Sequence, residues 1–263
     1  MYHCSSRSKE QVIDLLSSPV SKRTRHSSDN FGNERLKTLL DFQTFSSIFE
    51  NAPTMVERIM RFDTLGSTFI PEIFVDRDWA NLFRNYEDPV FELIKEFYSN
   101  ARFTRAERNC WVWGKDFVIT LDYLAKILHI NRLAHVDISP YDDRLALVKE
   151  ILDILGADYE VSAKDTTIGT AKFGPKLKTL TLIMFFNLYP LTNIGFINLG
   201  RAQFLCDLNT GAQIDICAHI FQTMVKTAGR SIARMCLPFC SLVMKIMVLK
   251  GVHPAKDGTI LLC

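Results

Sequence analysis

Residues 174–190 run GPKLKTLTLIMFFNLYP. From Lys176 to Tyr189 apolar side chains recur on nearly every helical face, which predicts a central helix enclosed by others. Pro190 ends it. Three more helices follow from the same logic. Asn198 caps a helix over Leu199–Leu208, with Gly211 as its stop. Ile214–Thr227 places Ile216, Ile220, Phe221, Met224 and Val225 at helical spacing before Gly229. Leu237–Lys250, with Pro238 in its first turn, closes the set. The stretch 174–252 therefore predicts an apolar helical core.

Upstream of that core the signals are shorter. Leu36, Leu39, Leu40, Phe42, Phe45 and Phe49 predict an amphipathic helix over Arg35–Phe49, stopped by Pro53. Thr54 predicts a short successor through Met60, and Thr68–Val75, with Pro71, a connector. A helix around Asp76–Phe83 turns Trp79 and Phe83 inward. Asp88 as N-cap and Pro89 as first residue start a helix over Val90–Asn100, with Phe91, Ile94, Phe97 and Tyr98 to one side. The clusters Cys110–Trp113 and Phe117–Ile119, separated by Gly114-Lys115-Asp116, predict a β-hairpin. Thr120 caps a helix through His129, another spans Asp142–Leu155, and 157–173 is a loop or irregular edge strand. Residues 1–33 are Ser-rich and poor in aromatics, a composition that predicts a disordered tail. The fold class expected is mainly α: one helical-bundle-like domain over 34–255 with a small β-hairpin, preceded by that tail.

Charge divides the chain. Residues 1–37 hold seven Lys/Arg against four Asp/Glu; residues 38–163, thirteen against twenty-one; residues 164–250, ten against three. An acidic helical part, 34–163, thus precedes a basic apolar core, 164–252. Two readings stay open: the acidic part docks on the basic part and neutralises it, or the basic part faces a polyanion such as nucleic acid. Arg201, Lys226, Arg230 and Arg234 are the candidate phosphate contacts, and Lys22, Arg23 and Arg25 a candidate nuclear-import cluster. Seven scattered Cys and a first segment without an apolar leader core point to free thiols in a reducing, intracellular compartment, the nucleus ahead of the cytoplasm. Thr179–Leu191 and Cys236–Leu249 are too short to span a bilayer, which takes ~20 apolar residues, so no membrane association is expected.

No catalytic pattern emerges. Cys236 and Cys240 lie four apart, but His219 and His253 are isolated in sequence, so zinc lacks two ligands at a familiar spacing and no metal or other cofactor is expected. Asp116 is the one Asp beside an expected strand, too little for the three carboxylates of a two-metal nuclease. Neither Gly-x-Ser-x-Gly nor a Gly-Lys-Ser/Thr phosphate loop occurs, and Cys217-Ala218-His219 puts its residues on different helical faces. A helix-turn-helix over Ile214–Leu249 fails because the second helix is too apolar to read a groove.

Over residues 55–252 several motifs recur in one order. They are Trp79 before a helix, Phe97-Tyr98, and Trp113-Gly114-Lys115-Asp116-Phe117-Val118-Ile119 before a Leu-rich helix. Then come Phe186-x-x-x-Pro190, Arg201-Ala202-x-x-Leu205 leading to Gly211, Ile214-x-Ile216-x-x-x-Ile220, and Leu237-Pro238-Phe239 through Gly251-Val252. This set resembles the plant transposon protein domain, found in proteins attributed to plant retroelements; Cys240 stands where that family often has Pro. The resemblance implies mobile-element ancestry and supplies no catalytic residues. The expectation is a non-catalytic module, nucleic-acid-associated or gag-like in assembly, that partners nucleic acid, itself or other element-encoded proteins. A protein-interaction domain without nucleic-acid binding is the alternative, and a transposase or nuclease the least favoured.

Overall fold

A computed structural model describes residues 35–66, 68–83, 87–103, 108–132, 153, 167–229, 236–254 and 260–262. The tail expected over 1–33 lies outside them, as does the helix expected over Asp142–Leu155 apart from Asp153. Among the described residues the fold is mainly α. Its helices are α1 (Leu39–Thr44), α2 (Ile70–Val75), α3 (Phe91–Asn100), α4 (Leu121–Leu128), α5 (Pro175–Ile183), α6 (Leu199–Thr210), α7 (Ile216–Ala228) and α8 (Cys240–Leu249). Both α1 and α5 run on into a π-helical turn, Phe45–Phe49 and Met184–Leu188. The strands are short and antiparallel: β1 (Arg102–Phe103), β2 (Arg108–Val112) and β3 (Lys115–Val118) form one sheet in that order, β4 (Thr167–Gly169) pairs β5 (Phe196–Asn198), and β6 (Val252–Pro254) pairs β7 (Ile260–Leu262).

Local chemistry explains the helices the sequence foretells. Thr120 Oγ1 accepts from Tyr123 N at 3.0 Å, and α4 closes on His129 in the left-handed region. Asn198 caps α6 by accepting from Arg201 N, and Gly211 at φ 79° ends it. The hairpin also forms, in a register moved from the expected one. Its turn is Trp113-Gly114, both at positive φ as a two-residue hairpin turn demands, so Lys115 and Asp116 belong to β3, opposite Val112 and Trp111.

Elsewhere long-range contacts override local signals. Only part of the Arg35–Phe49 pattern faces inward: Leu36 and Phe49 are buried, while Leu39, Leu40 and Phe42 stand in solvent. Asp41 takes the inward position, where its carboxylate accepts from Arg102 and its backbone N–H donates to Oγ1 of the cap residue, Thr38. The expected connector at Thr68–Val75 is helical from Ile70, because Pro71 falls in the first turn, where a missing N–H is harmless. The expected helix at Asp76–Phe83 shortens to a 3₁₀ turn at Ala80–Phe83, with Trp79 and Phe83 buried as foreseen. Asp88 does not cap α3; Val90 precedes the helix without a side-chain cap, and Phe91 is exposed.

The largest departure joins two distant stretches. No helix follows Thr54; it forms a parallel bridge with Leu237, with Met55 N donating to Leu237 O at 2.8 Å and Leu237 N to Pro53 O at 2.7 Å. Pro238 is consequently outside the last helix. Phe239, at φ 54°, offers no side-chain cap, and α8 begins at Cys240. Glu57 supplies the cap: its buried carboxylate accepts from Ser241 N at 2.8 Å and Leu242 N at 3.0 Å. Tyr98 from α3 donates to Pro238 O at 2.8 Å, so the junction binds α3 as well. Buried neighbours of α3 come from α8, α7 and β2, which makes α3 the inner helix of the described core.

Two outcomes test this architecture. Gly114→Ala has open space for its Cβ, so the strained positive φ alone should destabilise the fold by about 1 kcal/mol, read as a lower denaturant midpoint. Burial, outweighing the bonds from Leu242 and Ser241, pushes the Glu57 carboxyl up to about 7. In the unfolded chain it ionises near 4.5. The folded form therefore holds the proton more tightly, and the stability it contributes is complete below pH 4.5 and lost as pH rises through 7. The melting temperature should fall between those limits, and Glu57→Gln, which keeps an acceptor for the helix, should flatten that slope.

Candidate functional site

The basic residues singled out from the sequence have divided fates. Arg201, in the first turn of α6, aims its guanidinium inward: Nη2 donates to Pro190 O at 3.0 Å, Nε to Tyr189 O at 3.4 Å, and Cζ lies 4.3 Å from the Tyr189 ring centre. That side chain serves the end of the Met184–Leu188 turn. Lys226 is exposed in the last turn of α7. Arg230 and Arg234 lie outside the described residues, as do Lys22, Arg23 and Arg25.

Burial moves the His219 and Cys240 side chains away from their ordinary pKa ranges. His219 sits between Tyr189 and Phe204, ring centres 4.5 Å and 4.6 Å away. Burial first, with Lys226 and Arg201 adding repulsion, lowers its pKa to about 3. Cys240 Sγ donates to Leu237 O, and burial pushes its thiol up. Cys236 precedes the helix rather than sharing a face with it, and both thiols are free. Among the described residues no group of three His, Cys, Asp or Glu is placed to hold a metal ion. Asp116 is exposed and paired with Lys37 at 2.6 Å.

Three loops meet around a cleft of about 410 Å³ lined by residues 76–79, 130–132 and 211–215. Its two arginines act as braces. Arg77 Nη2 donates to Asp207 O, Leu208 O and Ala212 O at 3.0, 3.3 and 3.1 Å, gathering the carbonyls at the end of α6. Arg132 bridges Asp122 in α4 at 2.7 Å and Asp215, the N-cap of α7, at 3.2 Å. This last pair joins the acidic and basic segments with reversed sense: the acidic segment provides the cation.

A second surface lies along α5, which is less enclosed than its composition predicts. Lys176, Lys178 and Leu182 are exposed, and Phe186 half-buried. Arg58 and Phe69 each meet this helix or its π-helical extension, one near each end. At one end Arg58 N donates to Asn187 Oδ1 at 2.7 Å, and the Arg58 guanidinium lies 3.5 Å over the Phe186 ring. At the other, Lys176 Nζ is 5.6 Å from the Phe69 ring centre. Arg58, Arg61, Lys176 and Lys178 are all exposed, and none enters an ion pair among the described residues. Asp63 is the exposed acid on the same segment. Sequence reading missed Arg58 and Arg61 because they belong to the acidic part. The one signal for Lys178, Leu182 and Phe186 was their four-residue spacing.

Among the described residues no helix is long and apolar enough to cross a membrane. The comparison with curated proteins and that with solved structures gave no match. A family model described as "Putative plant retrotransposon-related domain" matches residues 75–253. That range covers the hairpin, α3 to α8 and both arginine braces, the motifs on which the resemblance over 55–252 rests. With more than half its length matched, the chain belongs to the plant retrotransposon-related domain family.

Proposed function

We propose that this chain is a non-catalytic, nucleic-acid-associated module of a plant retroelement, gag-like in that it coats or packages rather than cuts. The observation that supports this reading is the group of four exposed cations, Arg58, Arg61, Lys176 and Lys178, free of ion pairs among the described residues. Cations that no carboxylate neutralises attract phosphates more strongly than paired ones, and their binding releases counterions. The net positive charge of 164–250, ten Lys/Arg against three Asp/Glu, adds to that attraction even with Arg201 turned inward. Nuclear placement through Lys22, Arg23 and Arg25 forms part of the proposal.

A second reading rests on α1, where Leu39, Leu40 and Phe42 are exposed together on one short helix. Apolar side chains grouped on a surface favour a protein partner or self-association.

Affinity of the full chain for nucleic acid, measured across a salt series, separates the two. Nucleic-acid association predicts a linear fall of log K with log salt, and Lys176→Glu with Lys178→Glu should make that slope shallower by roughly two phosphate contacts. Salt-insensitive or absent binding, together with concentration-dependent assembly lost in Leu40→Glu, would transfer the assignment to the protein-interaction reading.

A further inference from the structure

We infer that the face formed by α5 and the Arg58–Arg61 segment takes single-stranded nucleic acid, with the Arg58 guanidinium stacked on Phe186 as the platform for an unpaired base. The inference rests on the nucleic-acid reading above and narrows it to one class of partner.

Three features favour a single strand over a duplex. First, at 3.5 Å the guanidinium lies in van der Waals contact with the Phe186 ring, the separation of stacked planes, and Arg58 remains exposed. A stacked guanidinium keeps its second planar face for a base, and it adds positive charge where the base meets the backbone. Second, the platform is fixed by its surroundings. The Arg58 backbone is tied to Asn187 at 2.7 Å, and the neighbouring Glu57 is anchored in the N-terminus of α8. Base stacking therefore costs little additional ordering. Third, apolar area flanks the charge. Ile59 is 72% exposed and Leu182 41% exposed. A duplex hides its base faces and would leave this apolar area facing phosphates and water, whereas unpaired bases cover it.

The spacing suits a short run of nucleotides. Lys178, Leu182 and Phe186 follow one another at four-residue intervals, so Lys178 lies about 12 Å along the helix from the platform at 1.5 Å per residue. That separation lets Lys178 reach a phosphate while a neighbouring base occupies Arg58. Charge complementarity is strong but not complete: Asp63 opposes four cations on the two elements.

The test compares the full chain binding to oligothymidine, oligouridine and a DNA duplex of equal length at one moderate salt concentration. Both single strands should bind roughly tenfold tighter than the duplex. Arg58→Lys keeps the charge and the backbone bond but removes the planar face. It should weaken single-strand binding by roughly tenfold with the salt slope unchanged, and leave duplex binding as it was. Lys178→Glu should instead reduce the slope for every probe. Thermal melting of each variant confirms that it is folded. Duplex binding as tight as single-strand binding, or an Arg58→Lys variant that binds like the parent, overturns the inference while the broader nucleic-acid reading stands. Absence of salt-sensitive binding to all three probes overturns both.

Discussion

One buried carboxylate holds the two ends of the core together. Glu57 reaches the N-terminus of α8, where the residue before the helix, Phe239, has a left-handed backbone and no polar side chain to offer. A helix start inside a core cannot leave its first N–H groups without acceptors, since each would carry a desolvation cost of about 1–3 kcal/mol. The acceptor has to come from elsewhere in the chain, and it comes from residue 57. The Thr54–Leu237 bridge and the Tyr98 bond to Pro238 align the parts of this junction. Through it α3, α8 and the Arg58 backbone beside Asn187 share one fixed geometry.

Arginine does comparable work at the other helix ends. Arg77 collects the final carbonyls of α6, and Arg201 those that follow the Met184–Leu188 turn. Both place positive charge against the negative end of a helical segment. A charge count over 164–250 therefore overstates what reaches solvent, since Arg201 is spent inside. It also overlooks Arg58 and Arg61, which sit in an acidic segment by sequence and on a basic face by structure. Net charge per segment is a poor guide when folding places segments side by side.

Elements governed by neighbouring residues were legible. Asn198 and Gly211 bound α6, Thr120 begins α4, and the alternation around Trp113-Gly114 forms the hairpin. Those signals act over a few residues, the range a single sequence exposes. Three features were hidden because their causes lie far away in the chain. Thr54 has the chemistry of a cap but pairs as a strand with Leu237. Asp41 occupies the inner side of an apparently amphipathic helix because Arg102 waits there. The basic face beside α5 arises only when Arg58 meets Phe186 and Asn187, and Phe69 meets Lys176, contacts far apart in sequence. Family membership was legible from ordered motifs, whereas the surface that carries the proposed function was not.

The tie between Glu57 and Ser241 spans 184 residues, and this sets a schedule for the chain as it is made. At about 5–20 residues per second, roughly 10–40 s separate the emergence of the carboxylate from that of the helix it caps. During that interval the apolar surface of α3 has no α8 to cover it, and the 53–57 segment has no strand partner. The nascent domain can form its hairpin and local helices early, but this junction cannot close until α8 leaves the ribosome. A chain built this way depends on staying shielded from aggregation until α8 has been made.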